Sequence, residues 1–251
     1  MNAILRHSLF PAALALTLLA APAARAFEAP PRWADDAVTR LAALALLQTL
    51  NADLLSNASA TLTLDRWCAA HRLAPTPTIV ADRVKGQDKP ANADNRALLK
   101  VDASEKVNYR RVRLRCGDKV LSEADNWYVP AHLTPEMNTT LETTDTAFGR
   151  AVKALDFRRT TLAARLLWQP LPKGWEMGAA LPPPGAGPLA IPPFVLEHRA
   201  VLTKPDGTPF SALVETYTSA ILAFPAPALV PAASDAPLTS PALRAPMLPT
   251  P

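Results

Sequence analysis

Three alternate arginines are the first residues in this 251-residue sequence whose type and spacing suit chemistry. Arg111, Arg113 and Arg115 alternate with apolar residues, so on a β-strand their guanidinium groups share one face. Because a guanidinium binds a carboxylate through two parallel hydrogen bonds, this face could hold an anionic ligand. The alternative is a solvated face with cross-strand ion pairs, for example to Glu123 or Asp125, and periodicity alone favours that alternative.

A single glutamate is the second candidate. Glu215 lies in the otherwise apolar and hydroxylic segment SALVETYTSAIL. An acid in such a segment either faces water at a sheet edge or is a buried carboxylate with a function. Beside a cation it would stay ionised, and it could then accept a hydrogen bond from a substrate hydroxyl or act as a base.

Most other kinds of site have no signal in this sequence. It contains no dinucleotide-binding glycine motif, P-loop, metalloprotease motif or nucleophile elbow. His71, His132 and His198 lack ligand spacing, so we predict no metal and no organic cofactor. The net charge of +4 comes without a long basic run or zinc-finger spacing, which argues against a nucleic-acid partner.

The two ends of the sequence differ from its centre in composition. Residues 1–26 combine a basic start, an apolar run and the small-x-small site Ala24-Arg25-Ala26, which predicts a secretory signal peptide and export, with the periplasm as the expected compartment. An uncleaved anchor or a buried helix is the alternative, but the run is shorter than the ~20 apolar residues of a membrane span, so no stable membrane anchor is expected. Residues 224–251 contain eight prolines and are predicted to be a disordered or extended tail.

The elements that position these candidates begin with helices and one hairpin. Apolar residues recur at helical spacing over 33–55, and a second helix follows the candidate N-caps Ser59 and Thr61. Residues 78–84 suggest a strand and 86–97 a loop. Residues 109–130 predict a β-hairpin around Gly117-Asp118.

The second half of the sequence continues the same pattern. It predicts short helices at 135–141 and 146–155, a strand at 157–168, a proline-rich insertion at 170–193 and a second hairpin within 194–222. Hairpin-linked strands form antiparallel sheets. The sequence therefore predicts one α+β domain over 27–223, in which helices cover one side of a six-stranded antiparallel sheet.

An ordered series of weak motifs resembles the chorismate lyase (chorismate pyruvate-lyase) family and the related UTRA ligand-binding domains. The series is the helix start at 59–61, an arginine five residues before Cys116, Val129-Pro130, Phe-Gly-Arg at 148–150, Gly-x-Pro at 207–209, and Glu215. It spans roughly residues 45–220.

The resemblance implies a small enclosed site between the sheet and the helices that holds an aromatic acid. Carried over by position, Arg111 would bind the ring carboxylate and Glu215 would meet the ring hydroxyl. Ala60 and Phe148 occupy positions where the family contacts the ligand through the main chain. A second carboxylate would need another cation, for which Arg113, Arg158 and Arg199 are unranked candidates.

The function implied is elimination of pyruvate from chorismate to give 4-hydroxybenzoate, without a cofactor. The alternative is an exported, non-catalytic binding protein for a small aromatic or carboxylate ligand; a structural envelope protein has only the tail in its favour. A monomer is expected. Cys68 and Cys116 could be buried thiols, but export to an oxidising space predicts a disulfide between them.

Overall fold

A six-stranded antiparallel sheet runs through residues 33–228, the part of the chain that the computed structural model describes. Its spatial order is β1-β2-β3-β6-β5-β4. The strands are β1 (Ile79–Arg83), β2 (Asn108–Cys116), β3 (Lys119–Tyr128), β4 (Arg158–Leu166), β5 (Phe194–Thr203) and β6 (Pro209–Thr218). The predicted α+β class with one six-stranded antiparallel sheet is confirmed. The predicted signal peptide, and all of the predicted tail after residue 228, lie outside the described residues.

Both predicted hairpins are present, and they lie side by side at the centre of the sheet. β2 and β3 turn at Gly117, whose φ of +59° favours glycine. β5 and β6 turn at Gly207, with φ +85°. β3 pairs with β6, so one continuous sheet face joins Arg110 on β2 to Glu215 on β6.

Two long helices cover one face of this sheet, which we call the inner face. α1 (Ala37–Ser56) is capped by Asp36 and α2 (Ala60–Ala70) by Ser59, each accepting from a backbone N–H three residues on. By length and composition alone α1 could cross a membrane, yet it is packed into the protein core. Its fully buried residues are Ala43, Leu47, Leu50 and Leu54.

Three shorter helices complete the fold: α3 (Ala93–Leu99), α4 (Pro135–Thr143) and α5 (Phe148–Ala151). The predicted loop at 86–97 is wrong from residue 93 onward. Asn92 caps α3, and Leu99 is buried against the opposite, outer face of the sheet beside Trp127 and Ala212. The polar composition around Pro90 concealed this short helix, which has only a few apolar residues to show a period.

The proline-rich insertion is largely irregular, as predicted, with one 3₁₀ turn at Trp175–Met177. It is attached to the start of the domain, since the Leu189 N–H donates to the Trp33 carbonyl at 2.7 Å. At the other end, Phe224 stacks on His71 with ring centroids 4.0 Å apart. The predicted domain boundary at residue 223 therefore excludes a residue of the core.

Cys68 of α2 and Cys116 of β2 form a disulfide between two fully buried side chains. The predicted bridge is confirmed. Their Cα atoms are 6.3 Å apart and 48 residues separate them in sequence. The bridge links the helix that starts beside Ser59 to the strand that carries Arg110.

Reducing this disulfide should lower the free energy of unfolding by about 2 to 4 kcal/mol, because a loop of this length constrains the unfolded chain. Urea unfolding with and without a phosphine reductant measures the change. A Cys68→Ala/Cys116→Ala variant should show the lower stability and no response to reductant. An unchanged midpoint in wild type, with two free thiols demonstrated, would contradict the prediction.

Candidate functional site

A small cavity lies between the inner sheet face and the starts of α2 and α5. Apolar side chains form most of its wall: Val112, Leu114, Ala124, Phe148, Phe157, Leu202 and Leu213. Its polar side chains include Arg110, Asn126, Arg159 and Glu215. A mostly apolar pocket with a few convergent polar groups is the usual form of a small-molecule site.

The predicted site residues divide between the two faces of the sheet. Glu215, Ala60 and Phe148 line the cavity. Arg111 does not line the cavity. The side chains of β2 alternate between the two faces, so Arg110, Val112 and Leu114 point to the inner face and Arg111 points to the outer face. The placement of Arg111 in one site with Glu215 is therefore corrected: the neighbouring Arg110 lies there instead.

On the outer face, Arg111 forms ion pairs at 2.5 Å with Glu123 and 3.0 Å with Asp125. Arg113 also reaches Glu123, at 3.3 Å, and Arg115 pairs with Asp82. The alternative interpretation of the three arginines, a solvated face with cross-strand ion pairs, is thus the one the structure shows.

The two remaining candidates for a second cation are also outside the cavity. Arg158 and Arg199 are exposed, and Arg199 is paired in register with Val214, on the face opposite Glu215. The second cation that lines the cavity is Arg159, which follows Arg158 by one residue and points to the other face. As with Arg111 and Arg110, the predicted residue and the residue observed in the cavity are neighbours in the sequence that point to opposite faces of the sheet.

Arg110 is buried, and two of its three guanidinium nitrogens have no hydrogen-bond acceptor among residues 33–228. Its Nη2 donates to the Thr146 carbonyl at 2.9 Å, but the buried Nε and Nη1 have no partner within residues 33–228. Burial, and secondarily the charge of Arg83, lowers the pKa of Arg110 to about 10, so the group remains cationic at neutral pH. Unpaired buried donors on a charged group are costly unless an anion meets them.

Arg159 and Glu215 form a buried ion pair at 2.7 Å, with side chains 4% and 8% exposed. The Tyr217 hydroxyl donates to the same carboxylate oxygen, Oε2, at 3.2 Å. Burial raises the pKa of Tyr217 well above its usual value, which keeps this donor protonated. Both donors use Oε2. Oε1 therefore has no hydrogen-bond donor among residues 33–228 and can accept a hydrogen bond from a ligand.

His198 lies opposite Glu215 in the β5–β6 register and is fully buried. Its Nε2 is 2.8 Å from Asn51 Oδ1, which fixes the ring against α1. Burial, reinforced by the nearby charge of Arg159, lowers the pKa of His198 to about 4, so the imidazole is neutral at neutral pH. The histidine therefore adds no charge to the cavity.

The start of α2 supplies backbone to the cavity wall at residues 58–61. The first N–H groups of a helix lack intrahelical acceptors, so this end favours a negative group. Ala60, predicted to contact a ligand through its main chain, is the first residue of α2. Its position is compatible with that prediction.

The comparison with known proteins places this chain beside an uncharacterized one. It is 64% identical to the uncharacterized protein y4mC of Sinorhizobium fredii over 201 residues, which are 80% of this chain and 85% of y4mC. The chain belongs to the y4mC family. A scan against models of known protein families found no match.

Solved structures similar to this y4mC-family chain include bacterial regulators. The effector domain of PhnF from Mycobacterium smegmatis is 14% identical, with a TM-score of 0.43 over 64% of this chain and 89% of that domain. A GntR-family regulator from Enterococcus faecalis is 10% identical, with a TM-score of 0.36 over 55% of this chain and 93% of the regulator. The possible transcriptional regulator YydK from Bacillus subtilis is 12% identical, with a TM-score of 0.34 over 55% of this chain and 58% of YydK. At TM-scores below 0.5 we draw nothing from them about ligand or activity.

Sequence reasoning missed the cavity residues Arg110, Asn126 and Arg159. A signal for Arg110 existed, because it continues the apolar face of Val112 and Leu114, where an arginine is out of place. Arg159 had no comparable signal, since either member of the pair Arg158-Arg159 could face inward.

Gly149 of α5 marks how closely the cavity wall is packed. A Cβ at this position would lie 2.6 Å from Ser59 Oγ, the atom that caps α2. Replacing Gly149 with alanine should therefore displace the cap and destabilise the y4mC-family fold by about 1 to 2 kcal/mol in urea unfolding. Gly187→Ala is the matched control, since its Cβ would meet nothing within 4 Å; equal effects of the two would disprove this account.

Proposed function

We propose that the protein is a monomer that binds a small aromatic monocarboxylate in the inner-face cavity. Arg110 carries this proposal, because its buried guanidinium lines the cavity and its Nε and Nη1 have no acceptor among residues 33–228, so a ligand carboxylate can supply one. A ligand carboxylate would relieve the desolvation cost that Arg110 bears in the free protein.

The charge of the cavity supports a ligand with one negative charge. The ionisable side chains that line it are Arg110, Arg159 and Glu215, whose sum is +1. One carboxylate would bring the site to neutrality, which is the favourable state for charges away from water.

The shape of the wall supports an aromatic ring with a hydroxyl group. Phe148 and Phe157 lie among the aliphatic lining residues. Burial of an apolar ring against these side chains contributes favourable binding free energy. Glu215 Oε1 is available to accept a hydrogen bond from a ring hydroxyl. 4-Hydroxybenzoate combines these features and is the probe of choice.

Calorimetric titration of the full chain tests the proposal with three probes. 4-Hydroxybenzoate should bind more tightly than the neutral 4-hydroxybenzamide, which lacks the charge, and more tightly than benzoate, which lacks the hydroxyl. Binding should also raise the melting temperature, because the ligand binds only the folded state. Equal binding of acid and amide, or binding of neither, would overturn the proposal.

A second candidate function is chorismate pyruvate-lyase activity. The observation that favours it is Arg159, a second buried cation for the second carboxylate of chorismate, next to Glu215. The C–O bond between the ring and the enolpyruvyl oxygen breaks and the oxygen leaves with the bonding electrons as enolpyruvate. The ring loses one proton and becomes aromatic 4-hydroxybenzoate, and enolpyruvate gains one proton at its methylene carbon to become pyruvate. Positioning and electrostatic stabilisation by fixed charges would supply the catalysis.

Incubation of the full chain with chorismate separates the two candidates. Formation of 4-hydroxybenzoate and pyruvate above the uncatalysed rate, lost in Arg110→Ala, would establish the lyase. Tight 4-hydroxybenzoate binding without turnover would leave the binding protein. We propose that the protein is exported in either case, because residues 1–26 have the pattern of a secretory signal peptide. A purified protein whose N-terminal residue is Phe27 would agree with this proposal.

A further inference from the structure

Asn126 is the polar neighbour of Arg110 on the floor of the cavity. The two residues face each other in the β2–β3 register, and both line the cavity. Directly opposed residues in an antiparallel pair have Cβ atoms roughly 5 Å apart. Since both side chains line this one small cavity, a single ligand carboxylate can contact both.

The orientation of this amide is set by Ser211 of β6. The Ser211 hydroxyl donates to Asn126 Oδ1 at 2.7 Å, and both residues are buried. With its oxygen occupied, Asn126 offers Nδ2 and its two N–H donors to other partners. Nδ2 has no protein acceptor among residues 33–228, and Asn126 lines the cavity.

We propose that Asn126 is a carboxylate-binding and specificity-determining residue, with Ser211 as its positioning residue. The Asn126 Nδ2–H group donates to the same ligand carboxylate that Arg110 binds, so this inference rests on the proposed function. A carboxylate has about four acceptor positions, and one arginine fills at most two of them, so positions remain for the Asn126 amide.

The neutrality of asparagine matters to this role. As an uncharged donor, Asn126 adds a hydrogen bond and leaves the cavity charge at +1, which matches a monoanion. An aspartate at this position would lower the sum to zero and would direct acceptor oxygens at the ligand carboxylate. The same aspartate could accept hydrogen bonds from the N–H groups of a ligand amide.

The experiment compares 4-hydroxybenzoate with 4-hydroxybenzamide by calorimetric titration of four full-length proteins. Asn126→Asp should weaken binding of the acid by about 30-fold or more and should reduce or reverse the preference for the acid over the amide. Ser211→Ala should weaken acid binding by roughly 3- to 10-fold, because the amide is free to rotate. Ser122→Ala is the matched control, a buried inner-face serine that does not line the cavity, and it should bind as wild type.

The outcomes separate this inference from the proposed function. If wild type prefers the acid and Asn126→Asp keeps that preference, or loses both probes equally while folded by circular dichroism, Asn126 does not recognise the carboxylate. If wild type binds neither probe, the proposed function fails and this inference fails with it. A changed acid-to-amide ratio is the signature that a merely structural role would not produce.

Discussion

Replacing Arg110 with methionine is expected to weaken 4-hydroxybenzoate binding by about 100-fold or more, and at the same time to stabilise the ligand-free protein. Truncating one partner of a buried, hydrogen-bonded charge pair costs about 2 to 5 kcal/mol of binding free energy. In the free protein Arg110 instead carries two buried, unpartnered nitrogens. Methionine fills similar volume without that cost, so urea unfolding should show a gain of about 1 kcal/mol.

Arg111→Met provides the matched control for this prediction. The two arginines are adjacent on β2, yet Arg111 pairs with Glu123 and Asp125 on the outer face. The control should keep wild-type affinity and should lose a little stability through its broken ion pairs. If Arg111→Met abolishes binding and Arg110→Met does not, the assignment of the site to the inner face is wrong.

Replacing Glu215 with glutamine should lower the free energy of unfolding by about 3 kcal/mol. The change leaves the Arg159 guanidinium charged and buried without a counter-ion, and breaking a buried pair on one side costs about 3 to 5 kcal/mol. Glutamine keeps an acceptor for the Tyr217 hydroxyl, which isolates the loss of charge. An Arg159→Met/Glu215→Gln variant should recover more than half of the loss, because no buried charge then remains.

A second ion pair of the same length serves as the control. Arg165 and Glu197 are also 2.7 Å apart on neighbouring strands, but the Arg165 side chain is 64% exposed. Glu197→Gln should cost less than about 1 kcal/mol, as is typical of exposed pairs. Equal losses for Glu197→Gln and Glu215→Gln in urea unfolding would show that burial does not control the strength of these pairs.

The architecture could be predicted from local sequence signals because each signal has one dominant physical cause. Gly117 and the segment before Gly207 mark turns that require unusual backbone angles, and alternation on either side marks the strands. Ser59 capped α2 as expected. The short α3 failed this approach, since seven residues give too few apolar positions to show a helical period.

The candidate site was only partly predictable, because a strand pattern gives alternation without saying which face is inside. Glu215 was found since an acid in an apolar strand is unusual on either face. The spacing to Cys116 predicts Arg111, but Arg111 lies on the outer face and its neighbour Arg110 lies on the inner face. Asn126 could not be found at all, because its role depends on Arg110 and Ser211, which only the sheet register brings together.

The two faces of β2 have a consequence for how this gene can change. Outer-face positions such as Arg113 are free to drift, since an exposed ion pair contributes little. A deletion of one codon between Arg110 and Arg113 should instead be strongly destabilising. It would exchange the two faces of the strand and move guanidinium groups into the core. Natural variation in this strand should therefore consist of substitutions, with insertions and deletions confined to the loops on either side.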